Sequence, residues 1–290
     1  MRLRVLIGIG LIAAIIASAV LLTHAGAQSR GSTSQSYYVA LGDSNAHGHT
    51  ADNVPDDPQC LSAKAPGYVC VVYRYMQKTF QHVGLRNFSR SGADSCEVAG
   101  LGHGCLDTTT PRASQLVPAV AFLKAHARHV RLITIDIGGN DVLELALQGL
   151  ANLPSAEARL PTVYAEYRTN LDTILSTLRR AAPRARIIIS TQWNPLGGLA
   201  APPLPQGFPQ AAQSALDTIN GIMKQESPKY RVKVADAATV MNAYPGGGVK
   251  LGYVLQTAFS GSGPNIHPTP KGHKIWAQTI IRTAFGVGAT

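Results

Sequence analysis

The sequence is poor in charged residues, in aromatic residues and in cysteine. Of its 290 residues, 14% are charged, 6% are aromatic and four are cysteine, whereas 45% are hydrophobic. This composition excludes a wholly disordered or low-complexity chain, because it holds enough apolar surface to build a core. Acidic residues are the scarcer charge, with 16 Asp and Glu against 26 Lys and Arg. The net charge of +10 makes anionic binding partners a question for the sequence to answer.

The positive residues are not confined to one run or one helix face. We therefore expect a general surface bias that favours anionic substrates or cell-envelope association, and no binding of nucleic acid. No internal repeat is visible, and nothing in the sequence indicates an oligomeric state.

One long hydrophobic run occurs, at residues 5–22. Arg2 and Arg4 precede it, and a small-residue A-x-A site ending at Ala27 follows it. This pattern predicts a secretory signal peptide at residues 1–27. The alternative is a retained membrane anchor, because 18 apolar residues are just enough to span a bilayer. Both interpretations place the rest of the chain outside the cytoplasm.

The remaining chain is predicted to be a short polar linker at 28–36 and one folded domain at 37–290. Removing 27 of the 290 residues leaves 263, and removing the two arginines lowers the formal charge from +10 to about +8. A single α/β domain accommodates that length.

The four cysteines, Cys60, Cys70, Cys96 and Cys105, fit an oxidising compartment. Three pairings are open, and local loop closure favours Cys60 with Cys70 and Cys96 with Cys105. A structural zinc site is the competing interpretation, which the lack of any C-x-x-C spacing disfavours.

Short β-prone runs alternate with segments of helical periodicity along the domain. Strands are predicted at 36–41, 85–88, 130–137, 187–191 and 232–235, and helices at 68–81, 112–129, 141–150, 162–181, 209–226 and 270–284. This alternation predicts a parallel sheet covered on both faces, with sites in the loops beyond the carboxyl ends of the strands.

Four short polar segments fall at such loops. Three follow predicted strands and carry Gly42-Asp43-Ser44, Gly92 and Gly139-Asn140-Asp141, and the fourth carries His267-Pro268 before the last helix. A serine in a tight turn after a strand exposes its hydroxyl beside a free backbone N–H, as a nucleophile beside an oxyanion requires. Each segment alone is a weak signal, since Gly-Asp-Ser is commonly a turn and a helix cap.

Together and in this order, the four segments resemble the SGNH hydrolases, also called the GDSL esterase/lipase family. The resemblance covers about residues 37–284 and implies a three-layer α/β/α sandwich of flavodoxin-like topology with about five parallel strands. It also implies a serine carboxylester hydrolase that needs no cofactor and no metal. Ser44 would be the nucleophile, His267 the general base, and Ser44 N–H, Gly92 N–H and the Asn140 amide the oxyanion hole.

One position departs from the family pattern. The family usually has an Asp three residues before its histidine, and Pro264 stands there in this chain. We therefore predict a Ser-His dyad in which a main-chain carbonyl or Asn265 orients His267. The alternative is a carboxylate that arrives from another loop.

Several other residues have a structural interpretation beside a functional one. Asp43 and Asp141 are expected to cap helices, and a metal site formed by Asp43, His47 and His49 is disfavoured by the scattered histidines. Apolar residues after the fourth strand are interpreted equally as pocket lining or ordinary packing; they are Trp193, Leu196, Leu199, Leu204 and Phe208.

The substrate class has three interpretations. A small-molecule or lipid ester is favoured, a carbohydrate O-deacetylase is the first alternative, and a non-catalytic surface-binding protein is the second. The sequence does not indicate the natural ester or its acyl-chain length.

Overall fold

The computed structural model describes residues 35–50, 55–195, 207–242 and 266–286. They contain one sheet of five parallel strands in the spatial order β2-β1-β3-β4-β5. The strands are β1 Ser36–Gly42, β2 Val83–Asn87, β3 Val130–Asp136, β4 Arg186–Ser190 and β5 Lys233–Ala235. The predicted α/β class with about five parallel strands is confirmed.

Eight α-helices lie in the described residues. They are α1 Ser44–His47, α2 Tyr68–Thr79, α3 Ser95–Ala99, α4 Leu116–His126, α5 Gly139–Ala181, α6 Phe208–Glu226, α7 Ala237–Met241 and α8 Pro270–Phe285, and a short 3-10 helix spans Ser227–Tyr230. The short helices α1, α3 and α7 were not predicted, because four or five residues show no helical periodicity.

The sheet is buried on both faces. Ile133 and Ile135 of β3 point into a core shared with α4, α5 and α6, whereas Leu132, just before them, points into a core shared with α2 and α8. Alternate residues of one strand thus serve opposite helix layers, which is why β3 is an almost continuous apolar run. Helices on both sides of one sheet form the three layers that the sequence predicted.

The helix α5 joins the two helices predicted at 141–150 and 162–181. Its two segments meet at Asn152, whose φ of −153° and ψ of 85° are not helical. The Asn152 side chain accepts a hydrogen bond from Ser155 N at 3.1 Å, and Pro154 lies between them. Asn152 therefore caps the second segment. The two helices that the sequence predicted as separate are joined at a kink at this residue.

Two disulfides join Cys60 to Cys70 and Cys96 to Cys105. The locally closed pairing is confirmed, and it leaves none of the four sulfurs as a thiolate for zinc. Paired cysteines fit an extracellular protein.

Several predictions concern residues outside the described ranges. These are the signal peptide, residues 28–34 of the linker, the loop residues Leu196, Leu199 and Leu204, and the Pro264-Asn265 dipeptide that precedes the predicted histidine. The linker was predicted to reach residue 36, but Ser36 already begins β1. Within the described ranges, no helix is long and apolar enough to cross a membrane.

Candidate active site

Ser44 lies at the turn from β1 into α1. Gly42 ends the strand with a φ of +145°, and a Cβ there would lie 2.4 Å from the Asp136 carbonyl oxygen, so that only glycine fits. Asp43 then caps α1, its carboxylate accepting a hydrogen bond from Asn45 N at 2.9 Å. The turn places Ser44 at the N-terminus of a helix, and the predicted capping role of Asp43 is confirmed.

His267 meets Ser44 across this edge of the sheet. The distance from His267 Nε2 to Ser44 Oγ is 2.8 Å. The histidine stands just before α8, whose N-terminus is fixed by Thr269, since the Thr269 hydroxyl accepts a hydrogen bond from Gly272 N at 3.2 Å. The predicted nucleophile and the predicted base are thus within hydrogen-bonding distance.

Two further histidines surround His267. The ring of His49 lies 5.0 Å from that of His267, and His49 Nε2 pairs with Asp56 at 2.7 Å. His273 is fully buried, with Nδ1 accepting from Tyr68 N and Nε2 donating to the His49 carbonyl oxygen. Burial, together with His49 and His273, lowers the pKa of His267 from 6.5 to about 4. At neutral pH the imidazole is therefore uncharged and can accept a proton.

Asp43, His47 and His49, where the sequence disfavoured a metal site, each contact a different group. Asp43 binds Asn45, His47 Nδ1 lies 3.1 Å from the Ser89 carbonyl oxygen, and His49 pairs with Asp56. Each group thus serves a different partner that holds the loops around Ser44.

The predicted oxyanion-hole segments lie side by side. Asn140 stands in the first turn of α5, and its Nδ2 donates to the Ala93 carbonyl oxygen at 2.8 Å. Gly92, one residue before Ala93, is exposed and has a φ of +74°. The preceding Arg90 N donates to the Gly42 carbonyl oxygen at 3.1 Å, which holds this loop against the Ser44 turn.

Asp141 is not the helix cap that the sequence predicted. Gly138 precedes α5, and the buried Asp141 carboxylate instead accepts hydrogen bonds from the backbone N–H and the hydroxyl of Ser95. Burial raises its pKa to about 7. Asp141 joins the start of α5 to the start of α3 and so fixes the loop that carries Gly92 relative to Asn140.

Sequence reasoning missed two groups beneath Ser44. The buried Gln115 side chain accepts from Gly42 N at 3.0 Å and donates to Gly42 O at 2.8 Å. Asp136, at the end of β3, is fully buried beside Asp43 and accepts from Gln192 Nε2 at 2.7 Å. An acidic residue in an otherwise apolar strand was the available signal for Asp136, whereas nothing in the sequence marked Gln115.

An apolar pocket opens beside Ser44 and Asn140 and runs between α5 and α6. Leu145, Ala146, Leu153 and Ala156 line it from α5, and Phe208, Ala212 and Leu216 line it from α6. Trp193 also lines the pocket while its ring packs edge-on against Trp276 at 4.7 Å. The sequence left two interpretations of Trp193 open, pocket lining and ordinary packing, and this side chain does both.

Solved structures share this fold. The extracellular lipase of Streptomyces rimosus is 21% identical, with a TM-score of 0.60 over 86% of this chain and 99% of that one. Phospholipase A1 of Streptomyces albidoflavus is 18% identical, with a TM-score of 0.60 over 86% and 100%. The acetylxylan esterase Axe2 of Geobacillus stearothermophilus is 17% identical, with a TM-score of 0.54 over 89% and 97%. At these identities the likeness shows the fold alone, a parallel sheet between two layers of helices.

The family follows from the sequence itself. The model of the GDSL-like Lipase/Acylhydrolase family matches residues 40–275, and the chain belongs to that family. The resemblance drawn from the four short segments is confirmed, and membership supports an ester hydrolase of the esterase or lipase kind. No curated protein sequence matches the chain significantly.

Proposed function

We propose that the protein is a secreted carboxylester hydrolase that forms an acyl-enzyme on Ser44. The observation that carries the proposal is the 2.8 Å distance from His267 Nε2 to Ser44 Oγ. A serine hydroxyl is a weak nucleophile until a neutral base takes its proton. The lowered pKa of His267, about 4, supplies such a base at neutral pH.

In the first half-reaction, Ser44 Oγ attacks the ester carbonyl carbon while its proton passes to His267 Nε2. The tetrahedral oxyanion is met by the backbone N–H groups of Ser44 and Gly92 and by the Asn140 amide. The C–O bond to the alcohol then breaks, and His267 returns the proton to the leaving alkoxide. In the second half-reaction, water takes the place of the serine, and the products are a carboxylic acid and regenerated Ser44.

The His267 ring needs a partner at Nδ1 that holds Nε2 towards Ser44. We propose a Ser-His dyad in which a main-chain carbonyl or Asn265 holds Nδ1. Because no carboxylate would then balance the imidazolium formed in the transition state, more of the rate enhancement has to come from the oxyanion hole and from substrate binding.

The pocket between α5 and α6 favours an acyl chain as the group bound beside Ser44. Glu157, Gln192 and Asn194 are polar members of the lining. The walls that α5 and α6 contribute are nevertheless mostly leucine, alanine and phenylalanine, which stabilise an alkyl chain by excluding water. A sugar would leave its hydroxyl groups unpaired against such walls. A lipid or other long-chain ester is therefore the proposed substrate, ahead of an acetylated carbohydrate.

Hydrolysis of p-nitrophenyl esters from acetate to palmitate tests this proposal, with acetylated xylan as the contrasting substrate. We expect turnover that favours esters longer than acetate and a loss of roughly 10⁴-fold or more in kcat in Ser44→Ala. Activity unchanged by Ser44→Ala would contradict the mechanism, and release of acetate from xylan alone would favour the deacetylase. Folded protein inactive on every ester would indicate the non-catalytic binding protein.

A further inference from the structure

A cluster of positive side chains lies at the edge of the sheet opposite Ser44. Arg186 begins β4 and Lys233 begins β5, while Arg184 and Arg231 lie two residues before these strands. All four are exposed around one cleft. Arg131, the second residue of β3, is also exposed. It lies next to Arg186, because Leu132 of β3 pairs with Arg186 of β4. Parallel strands begin at the same edge, so the cluster forms a continuous row across three strands.

No acidic side chain balances this row among the described residues. None of the residues that line the cleft is Asp or Glu, and none of the described ion pairs includes a member of the row. Like charges held together without counter-charges repel one another and work against folding. The row is therefore typical of a surface that binds an anion.

The row is also held in place. Arg179 beneath it donates hydrogen bonds to the carbonyl oxygens of Tyr230 at 2.8 Å, Ala185 at 2.9 Å and Arg231 at 2.9 Å, which ties the loop before β4 to the loop before β5. Burial and the nearby Arg231 lower the pKa of the Arg179 guanidinium. This tie keeps the exposed cations of β4 and β5 side by side.

Two members of the row lie over aromatic rings. The guanidinium of Arg131 is 4.8 Å from the centre of the Phe80 ring, and that of Arg186 is 5.3 Å from the centre of Phe285. The two rings are 5.7 Å apart and partly exposed. Guanidinium groups interleaved with half-exposed aromatic rings combine charge with apolar surface, as the headgroup region of a bilayer requires.

We propose that this edge, defined by Arg131, Arg184, Arg186, Arg231 and Lys233 with Phe80 and Phe285, binds the surface of a bilayer rich in anionic phospholipids. The shared chemistry is the phosphodiester headgroup, and a row along one sheet edge suits a plane of such groups. The seven residues of β3 separate the row from the Ser44 edge, or about 20 Å at roughly 3.3 Å per residue. The active-site pocket consequently opens away from the bound bilayer.

Binding of the full chain to vesicles tests the proposal, with phosphatidylglycerol mixed into phosphatidylcholine compared with phosphatidylcholine alone. We expect binding that requires phosphatidylglycerol and weakens with added salt, since exposed charges are screened. An N-terminal apolar anchor would bind both vesicles alike and resist salt. Equal binding to both vesicles at all salt concentrations would overturn the proposal.

The triple variant Arg184→Gln/Arg186→Gln/Lys233→Gln isolates the row. At roughly fivefold per cation, it should bind phosphatidylglycerol vesicles about 100-fold more weakly. The matched control Lys64→Gln/Arg159→Gln/Lys274→Gln loses the same net charge from exposed positions elsewhere. An equal loss of binding in both triple variants would show that net charge alone acts and would overturn the proposal.

Two further measurements decide the orientation and the kind of anion. Hydrolysis of a soluble acetate ester should be unchanged in vesicle-bound protein and in the triple variant, whereas inhibition by vesicles would contradict an outward-facing pocket. Inorganic phosphate or duplex DNA, supplied at the same phosphate concentration, should displace little protein from the vesicles. Tighter binding to either one would replace the bilayer as the partner and overturn the proposal.

Discussion

His267 Nε2 and Ser44 Oγ lie 2.8 Å apart although 223 residues separate them in the chain. Ser44 is fixed by the turn after β1, and His267 by the start of α8, which packs against β4 and α2 on one side of the sheet. Because β1 ends and α8 begins at the carboxyl edge of the sheet, the fold brings His267 to Ser44 without any local sequence signal joining them.

The first prediction concerns the acid limb of the pH–rate profile. A histidine of ordinary pKa would lose its basicity below about 6.5, whereas burial lowers the pKa of His267 to about 4. Since only the neutral imidazole accepts the serine proton, kcat/KM should persist well below pH 6 and fall near pH 4. Stopped-time assays with a soluble ester measure this limb.

The variant His49→Gln provides the control for that limb. The nearby imidazole of His49 is one of the groups that lower the pKa of His267. The midpoint should therefore move to higher pH in the variant. A wild-type midpoint near 6.5, unmoved by His49→Gln, would contradict the role given to the histidine cluster.

The second prediction is that Asn140→Ala lowers kcat by roughly 10²- to 10³-fold with little change in KM, because an oxyanion donor acts in the transition state. The matched control Asn152→Ala removes an asparagine from the same helix. It should cost about 1 kcal/mol of stability through the lost cap on Ser155 and leave kcat unchanged. Comparable losses of kcat in both variants would show that damage to α5, and not the loss of the Asn140 amide donor, lowers the activity.

The meeting of Ser44 and His267 was predictable because one follows a predicted strand and the other precedes a predicted helix, both in short motifs. The apolar run of β3 likewise predicted a strand buried on both sides. Gln115 could not be found in this way. It reaches Gly42 across 73 residues and stands before a helix like many other polar residues. Asp136 was visible as an acidic residue in an apolar strand, but its partner Asp43 could be assigned only once β1 and β3 were paired in register.

The third prediction concerns the acyl pocket. Ala212 of α6 is buried on the pocket wall, so Ala212→Phe should fill the space into which a long acyl chain would extend. We expect kcat/KM for palmitate esters to fall about tenfold or more, as lost methylene contacts require, with little change for acetate. Ala125→Phe, at an exposed position of α4, is the matched control. A uniform loss across all chain lengths would contradict an acyl pocket at this place.

The fourth prediction concerns the buried carboxyl pair beneath Ser44. Burial raises the pKa of Asp43 to about 6, although hydrogen bonds from Asn45 oppose the rise. Burial, and then the charge of Asp43, raises the pKa of Asp136 well above its ordinary value. Gln192 donates to Oδ1 of Asp136, whereas Oδ2 is buried and has no hydrogen-bond partner among the described residues. We therefore expect the two carboxyls to share a proton.

A raised native pKa means that the folded protein keeps protons which the unfolded chain has already released. The pair therefore stabilises the fold below about pH 4, and this contribution is lost as pH rises through the native pKa values. Asp136→Asn removes one ionisation and lets the new amide donate to Asp43, while its oxygen still accepts from Gln192. The variant should gain stability relative to wild type as pH rises from 4 to 8.

Unfolding by urea at a series of pH values measures this difference. Asp217→Asn, which changes an exposed carboxyl on α6, is the control and should show no such trend. Tyr68 faces the same pair and stays neutral throughout this range, because burial raises its pKa well above 10. A difference between Asp136→Asn and wild type that stays constant from pH 4 to pH 8 would show that the two carboxyls do not share a proton beneath the nucleophile.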